Sequence, residues 1–327
     1  DVAAVGRLIW REEKGRGRRC LLVNKEDKIL LEEIVGEDLT KADSYNIRKN
    51  GKGVERKVNP YIDIIPKENN SGIDVYVKDD TLFGTINIPV IITESGLKDI
   101  VYNDFHIGKN ANVIIIAGCG IHNDGHKDAR HDGIHRFYLE EGSKVKYVER
   151  HCGEGVGDGK KILNPITEIH MKQGSYMVMD TTQIKGVDDT IRITKAILEK
   201  DTTLVITEKI LTSQNQKAIT KFEVELSGEN SSTHVTSRSV ATNDSYQEFI
   251  SNITGNTKCY AHVECDAIIK ENGKVKAVPE IYAKNIDANL IHEAAIGKIA
   301  GEQLIKLMSL GLTEKEAEDI IIKGFLK

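Results

Sequence analysis

Long apolar runs are absent from this sequence, and aromatic residues make up only 5% of it. The longest uninterrupted apolar run covers residues 113–117, far short of the roughly 18 residues of a membrane-spanning helix. The first residues show neither the charged segment nor the apolar segment of a secretory signal peptide. We therefore expect a cytoplasmic protein that is neither secreted nor embedded in a membrane.

Cysteine is present, but not in the pattern of a disulfide-stabilised fold. The count of five is odd, and no two cysteines form a CxxC pair. The cysteines are Cys20, Cys119, Cys152, Cys259 and Cys265. Thiols that stay reduced are free to pack in a core, to bind a metal or to carry sulfur. The net charge of −5 over 327 residues also gives no reason to expect nucleic-acid binding.

A short polar turn recurs about every thirty residues through the middle of the chain. Strand-like segments, in which apolar and polar residues alternate, lie between these turns. A second turn falls between most neighbours, for example at residues 118–133, so each repeat contains two strands and two turns. The first set of turns consists of residues 78–81, 108–111, 140–143, 172–175, 199–202, 227–230 and 254–257.

The pattern divides the chain into three zones and predicts a mainly β fold. Residues 1–72 are a mixed N-terminal segment, residues 73–286 form a β-rich core, and residues 287–327 form a helical segment. The core fits a β-solenoid in which each coil stacks on the next, or an antiparallel meander or sandwich. The regular period favours the solenoid.

The C-terminal segment is predicted to contain two amphipathic helices. The first has an apolar stripe formed by Ala300, Leu304, Leu307 and Met308. Gly311 then ends the first helix, and Thr313 with Glu316 has the form of a capping box that begins the second. Helices of this kind can pack on the β-core or offer an apolar surface to a partner protein.

The densest group of chemically active side chains lies in residues 118–135. This segment contains Cys119, His122, Asp124, His126, Asp128, His131, Asp132 and His135. Nitrogen and sulfur donors suit iron and zinc, and a glycine-rich turn would let several of them converge. The same residues also fit a polar turn with hydrogen-bonded histidines.

A second glycine-rich segment, residues 151–160, resembles a phosphate-binding loop but does not match one. The P-loop and dinucleotide patterns both fail at fixed positions, so we expect no nucleotide to be bound by this chain. Its glycines are better explained as turn residues. Cys152 remains a candidate metal ligand, because the neighbouring His151 can lower a thiol pKa when it is charged.

Two further motifs lie nearer the C-terminus. Strict alternation places Cys265 on one face of a strand and the polar pair Glu264 and Asp266 on the other. A buried structural cysteine would fit this pattern as well as a reactive one. His292 and Glu293 stand at the expected start of the helical tail, where a glutamate is stabilised by the helix N-terminus.

These motifs together resemble the SufB/SufD family of iron–sulfur cluster assembly proteins. The similarity runs from about residue 73 to the C-terminus, and residues 1–72 show no comparable match. The matching stretches are residues 105–110, 118–126, 130–136, 153–165, 264–266, 291–299 and 311–317.

The resemblance implies a right-handed parallel β-helix core with a short C-terminal helical segment. It implies that the tail docks an ABC-type ATPase subunit, usually called SufC, and that the sulfur-accepting cysteine is Cys265. It places His292 and Glu293 near the cluster site. Because the chain is similar to the compact SmsB type, it also implies that two copies pair and that Cys119 and Cys152 are further ligand candidates.

The function that we expect is that of a non-catalytic scaffold. Such a protein receives sulfur and iron on its cysteines, holds a cluster transiently, with the four-iron four-sulfur type expected, and passes it to recipient apoproteins. Two alternatives remain open. One is a metal-dependent β-helix hydrolase that uses residues 119–135, and the other is a structural SufD-like partner without its own cluster.

Overall fold

The computed structural model describes residues 25–36 and 41–327. Cys20, which we expect to have a structural role, lies outside the described residues. Helix α1 spans Lys25–Val35, and helices α2 and α3 span Gly301–Ser309 and Glu314–Phe325.

Within these residues, twenty strands form two ten-stranded sheets. Sheet A consists of β1 (Ser44–Lys49), β2 (Lys52–Lys57), β5 (Leu82–Ile92), β7 (Asn112–His122), β9 (Lys144–Glu154), β12 (Tyr176–Lys185), β14 (Thr203–Thr212), β16 (Ser232–Ala241), β18 (Cys259–Ile269) and β20 (Ala288–Gly297). Sheet B consists of β3 (Ile62–Pro66), β4 (Gly72–Val77), β6 (Lys98–Ile107), β8 (Ala129–Leu139), β10 (Lys161–Leu163), β11 (Ile166–Met171), β13 (Asp189–Leu198), β15 (Lys217–Leu226), β17 (Tyr246–Gly255) and β19 (Lys274–Ala283).

The chain alternates between the two sheets, and each coil stacks on the previous one. Across the part of the chain that the structure describes, strands pair in parallel except at the β1–β2 and β3–β4 hairpins. Alternate residues of both sheets point inward and form one continuous apolar core. The predicted β-helix is therefore confirmed, and the antiparallel alternative is wrong.

The first set of predicted turns lines one edge of this β-helix. Each of the first six turns has a residue with a positive φ near its end, a conformation that glycine and short polar side chains tolerate best. These residues are Asp80, Asn110, Gly142, Gly174, Asp201 and Asn230. Each donates its backbone N–H to the adjacent coil, as Asp80 does to the Lys109 carbonyl at 2.8 Å. The turns therefore form a hydrogen-bonded ladder of their own.

Part of the predicted mixed N-terminal segment extends the β-helix. Strand β1 pairs in parallel with β5, and β3 pairs with β4, so residues 44–66 add strands to both sheets. Helix α1 packs on the outer face of sheet A, where Leu30 and Ile34 are fully buried.

The expectation of helix from residue 287 is wrong, because the last ten-residue strand, β20, occupies Ala288–Gly297. The alanine and glutamate content of this segment favours helix. The neighbouring strand β18 nevertheless pairs with β20 along its whole length, and this tertiary pairing overrides the local preference.

The two predicted C-terminal helices are present from residue 301 onward. The capping box between Thr313 and Glu316 is formed on both sides, and Gly311 has a positive φ after α2. No residue of α2 is buried, and α3 buries only Ala317. Among the described helices, none is long and apolar enough to cross a membrane.

Candidate functional site

Three charged side chains lie inside the β-helix. Glu149 on β9, Arg192 on β13 and Glu208 on β14 are each at most 3% exposed. Arg192 Nη1 donates to Glu149 Oε2, and Arg192 Nε lies 3.7 Å from Glu208 Oε1. Removing ions from water is costly unless they are paired. The arginine between two carboxylates is therefore what allows this cluster to be buried.

The two carboxyl groups experience opposite effects on their acidity. Burial would raise the pKa of Glu149, but the charge of Arg192 and the nearby His151 outweigh it and hold that pKa below the ordinary value. For Glu208, burial dominates over Arg192 and Ser237, so its pKa is raised. Arg192 therefore separates a carboxylate from a carboxyl group that retains its proton more readily.

A chain of hydrogen bonds connects this cluster to His135 on β8. Tyr147 Oη donates to Glu149 Oε1 at 3.0 Å, so it accepts from His135 Nδ1 at 2.7 Å. His135 Nε2 then accepts from Asn103 Nδ2 at 3.3 Å. Burial, opposed by Glu149, lowers the pKa of His135 to about 4. The ring is therefore neutral, with both nitrogens hydrogen-bonded.

Cys119 points into the same interior from β7. It pairs in register with His151 on β9 and is 1% exposed. Cys119, His131, Glu149 and His151 line a cavity of about 10 Å³, which is about the space that one water molecule needs. Burial raises the pKa of the Cys119 thiol well above its ordinary value.

Cys265 also points inward, near the C-terminal end of the β-helix. It pairs in register with Ser237, whose hydroxyl donates to Glu208 Oε2 at 2.9 Å. Burial, followed by the charges of Glu208 and Asp266, raises the pKa of the Cys265 thiol to about 12. The inward direction of Cys265 agrees with the alternation predicted from the sequence.

Every strand of sheet A between Cys119 and Cys265 has a polar inward residue. We call this set the interior polar stripe: it consists of Glu149, His151, Thr181, Gln183, Glu208 and Ser237. The two cysteines are five strand positions apart, or roughly 24 Å. Cys119 and Cys265 of one chain therefore lie too far apart to hold the same cluster.

Cys152 lies on the opposite side of sheet A from Cys119. It follows the inward-pointing His151 and packs against Leu30 and Ile34 of α1 on the outer face. The three predicted ligand cysteines are therefore not brought together within one chain. In residues 25–36 and 41–327, no three His, Cys, Asp or Glu side chains converge in a way that could hold a metal ion.

His292 and Glu293 lie within β20 and not at the start of a helix. The His292 ring points inward, 6.4 Å from the Phe249 ring, and neither of its nitrogens has a hydrogen-bond partner among the described residues. Glu293 points outward, and its Oε2 lies 3.6 Å from His262 Nε2. Cys265 is a diagonal neighbour of His292 across β18 and β20. The structure thus brings His292, but not Glu293, to the Cys265 face.

The predicted cluster at residues 118–135 divides between the interior and the surface. Residues 112–122 are strand, as are residues 129–139, so the expected turn is limited to residues 123–128. Cys119 and His135 lie inside, whereas His126 is exposed and its Nδ1 lies 2.6 Å from Asp158 Oδ1. Parallel pairing of β7 and β8 with their neighbours holds these groups apart.

Sequence reasoning missed Glu149, Arg192 and Glu208. Each is charged yet occupies the inward phase of an alternating strand. In β14, for example, Glu208 is in phase with the buried Leu204 and Ile206. A charge in the apolar phase of a strand was the signal that could have identified the interior cluster.

The chain matches a known protein family over more than half of its length. Residues 103–325 match the family model described as the SufBD core domain of SUF system FeS cluster assembly. An iron–sulfur cluster assembly SufBD family protein of Methanocaldococcus jannaschii is 28% identical over 239 residues, which cover 72% of this chain and 74% of that protein.

Other relatives are similar over shorter parts of their length. A SufBD family protein of Archaeoglobus fulgidus is 27% identical over 70% of this chain, but the match covers 61% of that protein. The iron–sulfur cluster assembly protein SufB of Bacillus subtilis is 37% identical over 68 residues, which are 20% of this chain and 15% of SufB. The family model covers more than half of the chain, and the chain therefore belongs to the SufBD family of iron–sulfur cluster assembly proteins.

Proposed function

We propose that this chain is a non-catalytic scaffold on which iron–sulfur clusters are assembled in the cytoplasm. The observation that best supports this role is the placement of two buried thiols, Cys119 and Cys265, at the ends of the interior polar stripe. Sulfur and iron are the substrates in this scheme, and the finished cluster is cargo that passes to recipient apoproteins.

We expect Cys265 to receive sulfur, once movement of the scaffold by its ATPase partner exposes this buried thiol. In the transfer step, the Cys265 thiolate attacks the outer sulfur of a donor persulfide, the donor S–S bond breaks, and the donor leaves as a thiolate. Iron then binds at cysteine sulfur, as in other iron–sulfur sites. His292 is a diagonal neighbour of Cys265 with two nitrogens that no described residue bonds, so it is suited to complete the coordination.

A second copy of the chain would supply the remaining ligands. Cys265 and His292 lie on the last two strands of sheet A, and β19 and β20 end the two sheets. Side chains on these last strands, such as Ile281 at 43% and Ile296 at 40%, remain exposed. Exposed apolar edges of this kind favour pairing with another chain. Pairing at this end would bring together Cys265 and His292 from both copies, with Glu293 at the outer face.

The C-terminal helices are suited to bind an ABC-type ATPase of the SufC kind. Ile305 is 68% exposed, Leu310 79% and Ile320 48%. Large exposed apolar side chains on two short helices and on the turn between them mark an interaction surface. ATP binding by that partner would move the scaffold and change access to the cluster site. The isolated chain is then expected to hydrolyse no ATP.

The metal-hydrolase alternative has less support from the geometry. Its proposed donors, residues 119–135, divide between the interior and an exposed loop, whereas a catalytic zinc site needs about three converging protein ligands. Anaerobic reconstitution with iron and sulfide, compared with loading by zinc alone, tests the two proposals. The scaffold is expected to gain visible absorption together with iron and sulfide. Stoichiometric zinc binding without sulfide uptake would favour the hydrolase.

A further inference from the structure

Cys152 differs from the other described cysteines in the direction of its thiol. Cys119, Cys259 and Cys265 belong to inward clusters of the β-helix. Cys152 lies on the outer face of sheet A and is 6% exposed only because α1 covers it. A thiol on an outer face would meet solvent if that cover moved.

Two glycines of β7 allow α1 to lie directly on the sheet above this thiol. Gly120 pairs in register with Cys152, and a Cβ at Gly120 would lie 2.9 Å from Leu30 Cδ2 and 3.2 Å from Cys152 Sγ. A Cβ at Gly118 would lie 2.9 Å from Ile34 Cγ2. The absence of these two side chains therefore creates a fitted surface for the helix.

Polar contacts at the rim hold α1 in place. Lys185 Nζ lies 2.6 Å from Glu33 Oε1, and the Lys185 side chain is 51% exposed. Arg150 Nη1 donates to the backbone carbonyls of Ile34 and Val35 at 3.0 and 2.8 Å. Exposed ion pairs of this kind are weak and are screened by salt.

A third polar contact joins α1 to the sheet, because Lys49 Nζ on β1 lies 2.5 Å from Oδ2 of the buried Asp27. Helix α1 has 11 residues, which is shorter than the roughly 12–15 residues at which isolated helices become even marginally stable. Its stability therefore depends on its contacts with sheet A. The coils beneath it are held by parallel pairing on both sides of β9 and do not require α1 for their own hydrogen bonds.

We propose that α1 is a displaceable lid, which opens to expose the Cys152 thiol while the β-helix stays folded. The lid separates one outward thiol from solution, whereas the inward thiols become accessible only when coils open. This inference does not depend on whether the chain assembles clusters. Openings of single elements at lower free energy than global unfolding are a general property of proteins.

The test measures the alkylation rate of each cysteine in the full-length, reduced protein. N-ethylmaleimide is added in excess at fixed pH, and peptide mass spectrometry follows each thiol at low and high sodium chloride. We expect Cys152 to react at least about tenfold faster than Cys119 and Cys265. Added salt is expected to increase the Cys152 rate, because it screens the Lys185–Glu33 pair.

Two variants and a matched control make the test specific. Lys185→Ala should accelerate Cys152 alkylation and weaken its salt dependence. The matched control is Lys276→Ala, which removes another exposed lysine, paired with Glu248 at 2.8 Å on β17, and should change nothing at Cys152. Leu30→Ala should accelerate the reaction further by weakening the apolar contact.

The inward Cys265 reports in every sample whether the β-helix stays folded. Equal rates at Cys152 and Cys265 in the wild type would overturn the proposal. An unchanged Cys152 rate in Lys185→Ala would do the same. If Leu30→Ala exposes Cys265 together with Cys152, α1 is part of the cooperative fold and is not a lid.

Discussion

At the residue scale, the interior is organised around Arg192, which separates Glu149 from Glu208. Replacing Arg192 by methionine keeps much of the side-chain volume but leaves both carboxyl groups without their cation. We expect Arg192→Met to lower the free energy of unfolding by about 3–5 kcal/mol, as when one partner of a buried pair is removed. Urea unfolding at neutral pH measures this change.

A control for this substitution lies on the same strand. Lys195 on β13 is about half exposed and pairs with Glu223 at 2.9 Å. Lys195→Met should cost less than about 1 kcal/mol, because exposed ion pairs contribute little. Similar losses in the two variants would show that the interior pairing is not important for stability.

His135 gives the protein a stability that depends on pH. Its pKa in the folded chain is about 4, below the ordinary value of about 6.5. As the pH falls below 6.5, the unfolded chain takes up a proton that the folded chain rejects, so stability is lost between about pH 6.5 and 4. Above pH 7 the effect disappears. At pH 5 it amounts to about 2 kcal/mol.

Substitution of His135 by glutamine should reduce this pH dependence. The glutamine side chain would keep a donor and an acceptor but would not titrate. The difference in unfolding free energy between pH 7.5 and pH 5 should therefore shrink by about 2 kcal/mol. His170→Gln is a suitable control, because His170 is exposed on β11. An equal pH dependence in the wild type and His135→Gln would contradict this account of the interior.

At the scale of elements, the local sequence predicted the strands and turns of each coil. It did not predict the polar side chains inside the β-helix. Asp80, Asn110 and their equivalents marked the turns, because short polar residues and glycine suit a positive φ. The alternation also oriented Cys265 correctly. The position of β20 could not be predicted, since its pairing with β18 is a tertiary contact. The interior polar stripe was missed for a related reason, because its members become neighbours only when the coils stack.

The C-terminal helices carry a prediction about the partner. Ending the chain at residue 300 should abolish co-elution with the ABC-type ATPase while circular dichroism still shows a folded β-helix. Ile305→Asp should weaken co-elution by placing a charge in the apolar surface of α2. Val156→Asp introduces the same charge at a 97% exposed loop position and should have no effect. Unchanged co-elution of the truncated chain would exclude these helices from the binding site.

At the scale of the whole molecule, the two ends of the β-helix differ. The β1–β2 and β3–β4 hairpins cover the N-terminal coils, whereas β19 and β20 leave the last coil uncovered in the described chain. Ile281→Lys on β19 should shift a dimer toward monomer by at least about tenfold in dissociation constant, because a lysine would be buried without a partner. Light scattering after size-exclusion chromatography, at several concentrations, measures this shift.

The opposite end of sheet B provides the matched control for pairing. Ile65 lies on β3 and is 45% exposed, close to the 43% of Ile281. Ile65→Lys should leave the molecular mass unchanged. If the wild type is a monomer, or if Ile281→Lys and Ile65→Lys have equal effects on the molecular mass, the last coil is not the dimer interface.

The central claim is that clusters are assembled on the cysteines of this chain. The most direct measurement is iron and acid-labile sulfide per protomer, with visible absorption, after anaerobic reconstitution. Cys265→Ser should lose most of the cluster, because serine supplies no soft donor. Cys119 and Cys152 lie away from the Cys265 end of the β-helix, so Cys119→Ser and Cys152→Ser should lower the occupancy less than Cys265→Ser does. Cys259→Ser, which replaces a buried cysteine on the same strand as Cys265, should retain it, as should Cys20→Ser. Wild-type occupancy in the Cys119, Cys152 and Cys265 variants would contradict the scaffold account.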